Sequence, residues 1–217
     1  MKKALPNLEV LRFVAAVAIV IWHYQHFAYV GPARVDFATR EQPFFGPLHL
    51  AYTAGALAVP LFWLLSGYIF FHQYSQRIAS RRISAQQFAI LRFSRLYPLH
   101  IVTMIAVLIL QWSYRRITPL NVPFVYQHND AHDVLLHLAM ASQWAEHRRY
   151  SINGPVWSVS MEVLGYAAFF IAMRFVPKPM WAIAPAPFLL IWSINTYSML
   201  GIMFALFFLG EIGRAHV

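Results

Sequence analysis

Two residue pairs carry the first chemical signal in this 217-residue chain. In "NLEVLRFVAAVAIVIWHYQHF", residues 7–27, Glu9 and Arg12 are neighbours on a helix, and His23 lies eleven residues beyond Arg12. At about 100° per residue, that spacing returns His23 to within about 20° of the face that bears Arg12. An imidazole and a guanidinium thus share one polar stripe on an otherwise apolar helix. A histidine placed so can take a proton from a hydroxyl or act as a nucleophile. It can also be a packing group bonded to a neighbouring helix. In "FAILRFSRLYP", residues 88–98, Arg92 and Arg95 fall one turn apart with no acid beside them. Guanidinium forks match the phosphate oxygens of a polyanionic ligand, and they serve lipid head groups equally well.

Two further stretches hold polar groups among apolar ones. In "NGPVWSVSMEV", residues 153–163, Pro155 is suited to a helix start, and Ser158 and Glu162 are i,i+4 on one face with Trp157 close by. Glu162 falls about 10 Å into that helix, a depth close to that of His23 counted from the same side. A carboxylate and an imidazole at one depth on two helices can act as an acid and base pair, or Glu162 can be held by an arginine. In "PLFWLLSGYIFF", residues 60–71, Ser66 and Gly67 permit a close helix approach.

The elements that must position these groups are membrane spans. Hydrophobic residues make up 59% of the chain and charged residues only 12%, too few to coat a soluble domain of this length. Mean hydropathy is +0.51. The net charge of +9 would suit nucleic acid in a soluble protein. Here the basic residues bracket apolar runs, which marks topology and excludes that role. With no cysteine there is no disulfide framework and no thiolate nucleophile, and no set of histidines and acids reads as a metal site.

The pattern predicts an all-α polytopic membrane protein with about six spans, near 8–30, 50–72, 96–114, 156–174, 179–194 and 196–211. The last two come from one uncharged run over 179–210, too long for a single crossing, with a turn expected at Ser193–Tyr197. A basic interfacial helix is expected over about 76–95, capped by Ser84, and a short helix in the loop near Asp133–Trp144. With the N-terminus inside, eleven Lys and Arg face the cytosol against six outside, and the outer loops hold five of the eight acids. Lys2 and Lys3 before an apolar run also open signal peptides, but this run is longer than such a core and is read as a first span.

Taken in order, "LRFVAAVAIVIWHY", "PLFWLLSGYIFF", "RFSRLYPLH" and "WSVSMEV" resemble the successive motifs of the membrane acyltransferase 3 family, bacterial O-acyltransferases, over about residues 5–210. The resemblance implies transfer of an acyl group, acetyl above all, from cytosolic acyl-coenzyme A to a hydroxyl of a carbohydrate or exported glycan at the bacterial inner membrane. It implies that His23 is catalytic with Glu162, and that Arg92, Arg95 and Arg12 serve the coenzyme A donor. Trp157, Ser158 and Ser66 would support the site, with no metal. Family members form a bundle of about ten helices, so the chain is expected to be a single acyltransferase domain cut short at its C-terminus. Val163 stands where many relatives carry a second acid. A transporter or flippase of a glycan or lipid intermediate, with His, Arg and Glu as relay groups, is the alternative.

Overall fold

A computed structural model of the chain describes residues 6–30, 33–34, 39–117, 126, 129–144, 150–176 and 179–214. Lys2, Lys3, Asp36, Glu146, Arg148, Arg149 and Lys178, counted above for topology, lie outside them. The described residues form eight α-helices: α1 (Pro6–His23), α2 (Phe45–Ala54), α3 (Ala58–Ala79), α4 (Ala85–Ile117), α5 (Ala131–Leu138), α6 (Trp157–Phe175), α7 (Ala186–Thr196) and α8 (Met199–Arg214). A two-residue antiparallel ladder pairs Tyr29–Val30 with Ala33–Arg34. Four helical stretches, Pro6–Phe27, Phe45–Ala79, Ala85–Ile117 and Gly154–Phe175, are long and apolar enough to cross a bilayer, and two shorter apolar helices follow. The chain is an all-α membrane protein. Val10, Phe13, Val14, Val17 and Val20 on α1 are exposed, as expected where lipid is the solvent.

The packed centre lies between α3, α6 and α8. Trp63, Phe70, Phe71 and Tyr74 of α3 meet Phe169 of α6 and Phe207 of α8, and Phe88 of α4 closes the cluster. Most ring pairs there meet edge to face, such as Phe71 with Phe169 at 5.0 Å and 88°, the geometry that aromatic quadrupoles favour. The α3–α8 crossing depends on glycine. A methyl group on Gly67 would overlap the Phe207 carbonyl, and one on Gly210 would overlap the Tyr68 backbone nitrogen. Gly67 is therefore a backbone-contact residue, while its neighbour Ser66 points elsewhere.

The basic segment folds differently from the expected interfacial helix over 76–95. Residues 76–79 are the last turn of α3, a tight turn follows with Arg81 at φ 57°, and α4 then runs unbroken for 33 residues through Pro98. Ser84 does cap α4: the Gln87 N–H donates to Ser84 Oγ at 3.2 Å, and the Ser84 N–H donates to Gln87 Oε1 at 3.0 Å. Local composition marked the polarity of 76–95 but not the turn inside it. Arg174 of α6 fixes that turn from outside, donating to the Ile78 carbonyl at 3.3 Å. The turn expected near Ser193–Tyr197 is present, with Tyr197 at φ 55° and the Ser198 N–H donating to Ser193 O at 2.9 Å.

The loop helix spans Ala131–Leu138 rather than Asp133–Trp144, because Asp130 and Asp133 form a capping box at its start and Met140 turns left-handed past its end. It lies against the middle of α4. Tyr97 donates to Leu138 O at 3.0 Å, His100 Nε2 donates to His137 O at 2.7 Å, and Asn153 donates to Thr103 Oγ1 at 2.8 Å. His137 is 2% exposed, and its Nε2 donates to Ser151 O at 3.0 Å, which leaves Nδ1 as a buried lone pair. Burial, then the neighbouring His100, holds the His137 pKa below its ordinary value near 6.5. The unfolded chain then binds more protons below that value than the folded one does. Stability is therefore complete above about pH 6.5 and falls as pH drops toward the lowered folded pKa. Amide protection factors at 129–144 and 150–153, measured relative to the intrinsic exchange rate at each pH, are expected to fall on acidification through that window, and His137→Gln is expected to flatten the dependence. Equal pH slopes in the two proteins would contradict this.

Candidate active site

One cavity of about 610 Å³ lies between α1, α3, α4 and α6. All eight site residues expected from the sequence line it: Arg12, His23, Ser66, Arg92, Arg95, Trp157, Ser158 and Glu162. Four separate segments of chain supply them, yet they share one space. Apolar side chains, among them Ile19, Val20, Phe62, Ile69 and Leu96, make up the rest of the wall. Charge inside an apolar enclosure is felt more strongly than in water, so these few polar groups dominate what the cavity can bind.

The arginines are not equivalent. Arg92 sits over the rings of Tyr74 and Phe70, with 4.7 and 5.0 Å from its guanidinium carbon to the two centroids, and one Nη donates to the Tyr74 hydroxyl. Its buried Nε has no hydrogen-bond partner. Arg92, which lines the cavity, is thus oriented by stacking and by Tyr74. Arg95, one turn on, lines the same space but is exposed. Arg12 is held by Glu9 at 3.4 Å on its own helix. The expectation of an arginine pair without an acid nearby holds along the chain and fails in space, since the Glu162 carboxylate shares the cavity and lies within the electrostatic reach of Arg12 and Arg92.

Glu162 and His23 share the cavity, but their described hydrogen bonds go to other partners. Tyr166 donates to Glu162 Oε1 at 2.9 Å, and the Ser66 hydroxyl interacts with the same carboxylate. His23 Nδ1 lies 3.3 Å from His26 Nδ1, and the Trp22 ring stands edge-on to both imidazoles, at 5.0 and 5.5 Å. His26 Nδ1 is also 3.0 Å from the His23 carbonyl, which can only accept. The proton of that contact therefore sits on His26, and His23 keeps a lone pair on Nδ1. Tyr166 is a site residue the sequence reading passed over. Its i,i+4 spacing from Glu162 was the available signal. Tyr74 had no such signal, because only the fold brings it to Arg92.

The two serines of "WSVS" divide their work. Ser158 faces the cavity, and its carbonyl accepts from Trp63 Nε1 at 3.4 Å while Trp63 and Trp157 meet edge to face at 5.8 Å. Ser160 is fully buried and ties the loop to α6, accepting from the Gln143 N–H at 3.1 Å and, through its carbonyl, from Trp144 Nε1 at 2.9 Å. Away from the cavity, Asp130, His132 and Asp133 bring ligand atoms within 4.8 Å of one another, with both acids engaged in the α5 cap.

Three arginines, a glutamate and a histidine thus line one largely apolar cavity between the helices of a membrane protein. Comparison with known proteins carries this further. A family model described as "Acyltransferase domain" matches residues 5–215, and the chain belongs to that family. It is 28% identical over 176 residues to the acyltransferase MdmB of Streptomyces mycarofaciens, a match that covers 80% of this chain and 40% of that protein. No solved structure matches the chain.

Proposed function

We propose that the chain is a membrane O-acyltransferase that moves an acyl group, acetyl above all, from cytosolic acyl-coenzyme A to a hydroxyl of a carbohydrate. The observation that carries this reading is the single cavity in which His23 and the three arginines meet. With the basic end of α1 at the cytosolic face of a bacterial inner membrane, Arg12 lies near that face and His23 about 16 Å further along the helix. Arg12, Arg92 and Arg95 would take the donor's phosphates, and the thin pantetheine arm would run between the apolar walls toward His23. There His23 takes the proton of the acceptor hydroxyl as its oxygen attacks the thioester carbonyl. The carbon–sulfur bond breaks and the proton passes to the leaving thiolate. An acyl-histidine intermediate would use the same residues in two steps. Family membership supports the acyl-transfer chemistry, and Tyr166 and Ser66 support Glu162 as a group held in place within the cavity.

The test is consumption of radiolabelled acetyl-coenzyme A by membranes that contain the chain. Arg92→Ala is expected to raise the donor KM by about 10- to 100-fold, the worth of a desolvated charge-assisted contact. Arg95→Ala, at an exposed position, is expected to raise it by no more than a few-fold. A larger effect at Arg95, or a selective rise in the acceptor KM, would contradict the assignment. If the wild-type chain never consumes the donor, the transporter reading takes its place.

A further inference from the structure

We infer that a second cavity, of about 410 Å³ at the His23 end of α1, holds the sugar ring of the acceptor, with the His23–His26 pair standing between it and the donor cavity. This rests on the acyl-transfer reading above. Trp22, Gln25, His26, Arg40, Tyr52 and Thr53 are among its lining residues. Phe45, also in the wall, stacks on Tyr52 at 6.2 Å and 27°.

The site is built rather than incidental. Gln25 donates to the carbonyls of Tyr52 at 2.9 Å and Trp22 at 3.2 Å, and the Thr39 hydroxyl reaches Gln25 Oε1 at 3.5 Å. One side chain thus joins the end of α1, the turn at Thr39–Glu41 and α2 around the space. The lining differs in kind from that of the donor cavity. Three arginines there suit a polyanion; here one arginine stands among aromatic rings, hydroxyls and an imidazole. Flat apolar faces beside dispersed hydrogen-bonding groups match a sugar ring, whose C–H faces stack on aromatics while its hydroxyls point to the rim.

The junction links the site to the chemistry. His23 lines the donor cavity, His26 lines this one, and their Nδ1 atoms are 3.3 Å apart. An acceptor seated here has to project one hydroxyl past Trp22 and His26 to reach His23. The acceptor oxygen then forms the new C–O bond as the C–S bond breaks, and the hydroxyl proton passes through His23 to the thiolate.

The test uses the chain purified in detergent, with methyl glucoside, methyl galactoside and N-acetylglucosamine as probes in saturation-transfer difference NMR. Acetyl-coenzyme A affinity is measured separately by calorimetry. Wild type is expected to give a signal with at least one probe. Thr53→Trp, which fills the cavity from an exposed helical position, and Arg40→Ala, which removes an exposed donor, are each expected to weaken that probe by about tenfold. Acetyl-coenzyme A affinity should stay within about twofold in both variants, because neither residue lines the donor cavity. No signal from any probe with wild type, or a signal indifferent to Thr53→Trp, overturns the inference. A glycoside signal that behaves as expected in a chain that does not bind acetyl-coenzyme A supports this site and sinks the donor reading alone.

Discussion

Replacing His23 with alanine is expected to lower acyl transfer by about 10²- to 10⁴-fold, the usual worth of a positioned proton-transfer group. Folding should survive. His23 stands at the last turn of α1, partly buried, and its described contacts are the rings of Trp22 and His26 rather than the aromatic core. Donor affinity should survive too, since Arg12, Arg92 and Arg95 stay in place. The measurement is transfer from radiolabelled acetyl-coenzyme A, run beside donor binding and a melting curve on the same preparation. Transfer at the wild-type rate would remove His23 from the chemistry and leave the cavity as a binding site. A loss of transfer accompanied by a collapsed melting curve would assign His23 to structure instead.

Gly67→Val is expected to have the largest effect on stability. The added carbon atoms would meet the Phe207 backbone rather than the far end of a flexible side chain, so α3 and α8 must separate along their crossing. Overpacking of this kind costs about 3 kcal/mol, or roughly 6–12 °C in melting temperature for a chain of this length. Transfer should fall with it, because the neighbouring Ser66 touches Glu162 in the cavity and shifts when α3 shifts. Gly46→Ala is the internal control. Nothing lies within 4 Å of its added methyl, and alanine is the better helix former. Equal melting temperatures for the two variants would show that the crossing is looser than its geometry.

The two predictions draw on different kinds of information. His23 was visible in the chain alone, because a polar stripe in an apolar helix is a local pattern with a 3.6-residue period. So were the Ser84 cap, the turn near Ser193–Tyr197 and the i,i+4 relation of Ser158 to Glu162. Each depends on residues within about three helical turns of one another. Arg92 was visible as a charge but not as an oriented one, since Tyr74 stands eighteen residues away on α3.

The amino-acid sequence by itself determined the class of protein. Too few charges to coat a soluble domain, apolar runs of bilayer length and basic residues at their ends leave few alternatives to spanning helices. It also determined which side chains could do chemistry, because a charge or imidazole within such a run is costly unless used or paired. Tertiary structure alone decided how those side chains meet. It put Glu162 within the field of Arg12 and Arg92, brought the Ser66 hydroxyl to its carboxylate, and laid α5 against the middle of α4 through His100 and His137. Those relations join residues tens of positions apart, and they follow from which helices approach closely. That approach is set by Gly67 and Gly210 against backbone, and by an aromatic core whose rings interlock in one arrangement. Periodicity reports which face of a helix is apolar; it does not report which other helix that face will find.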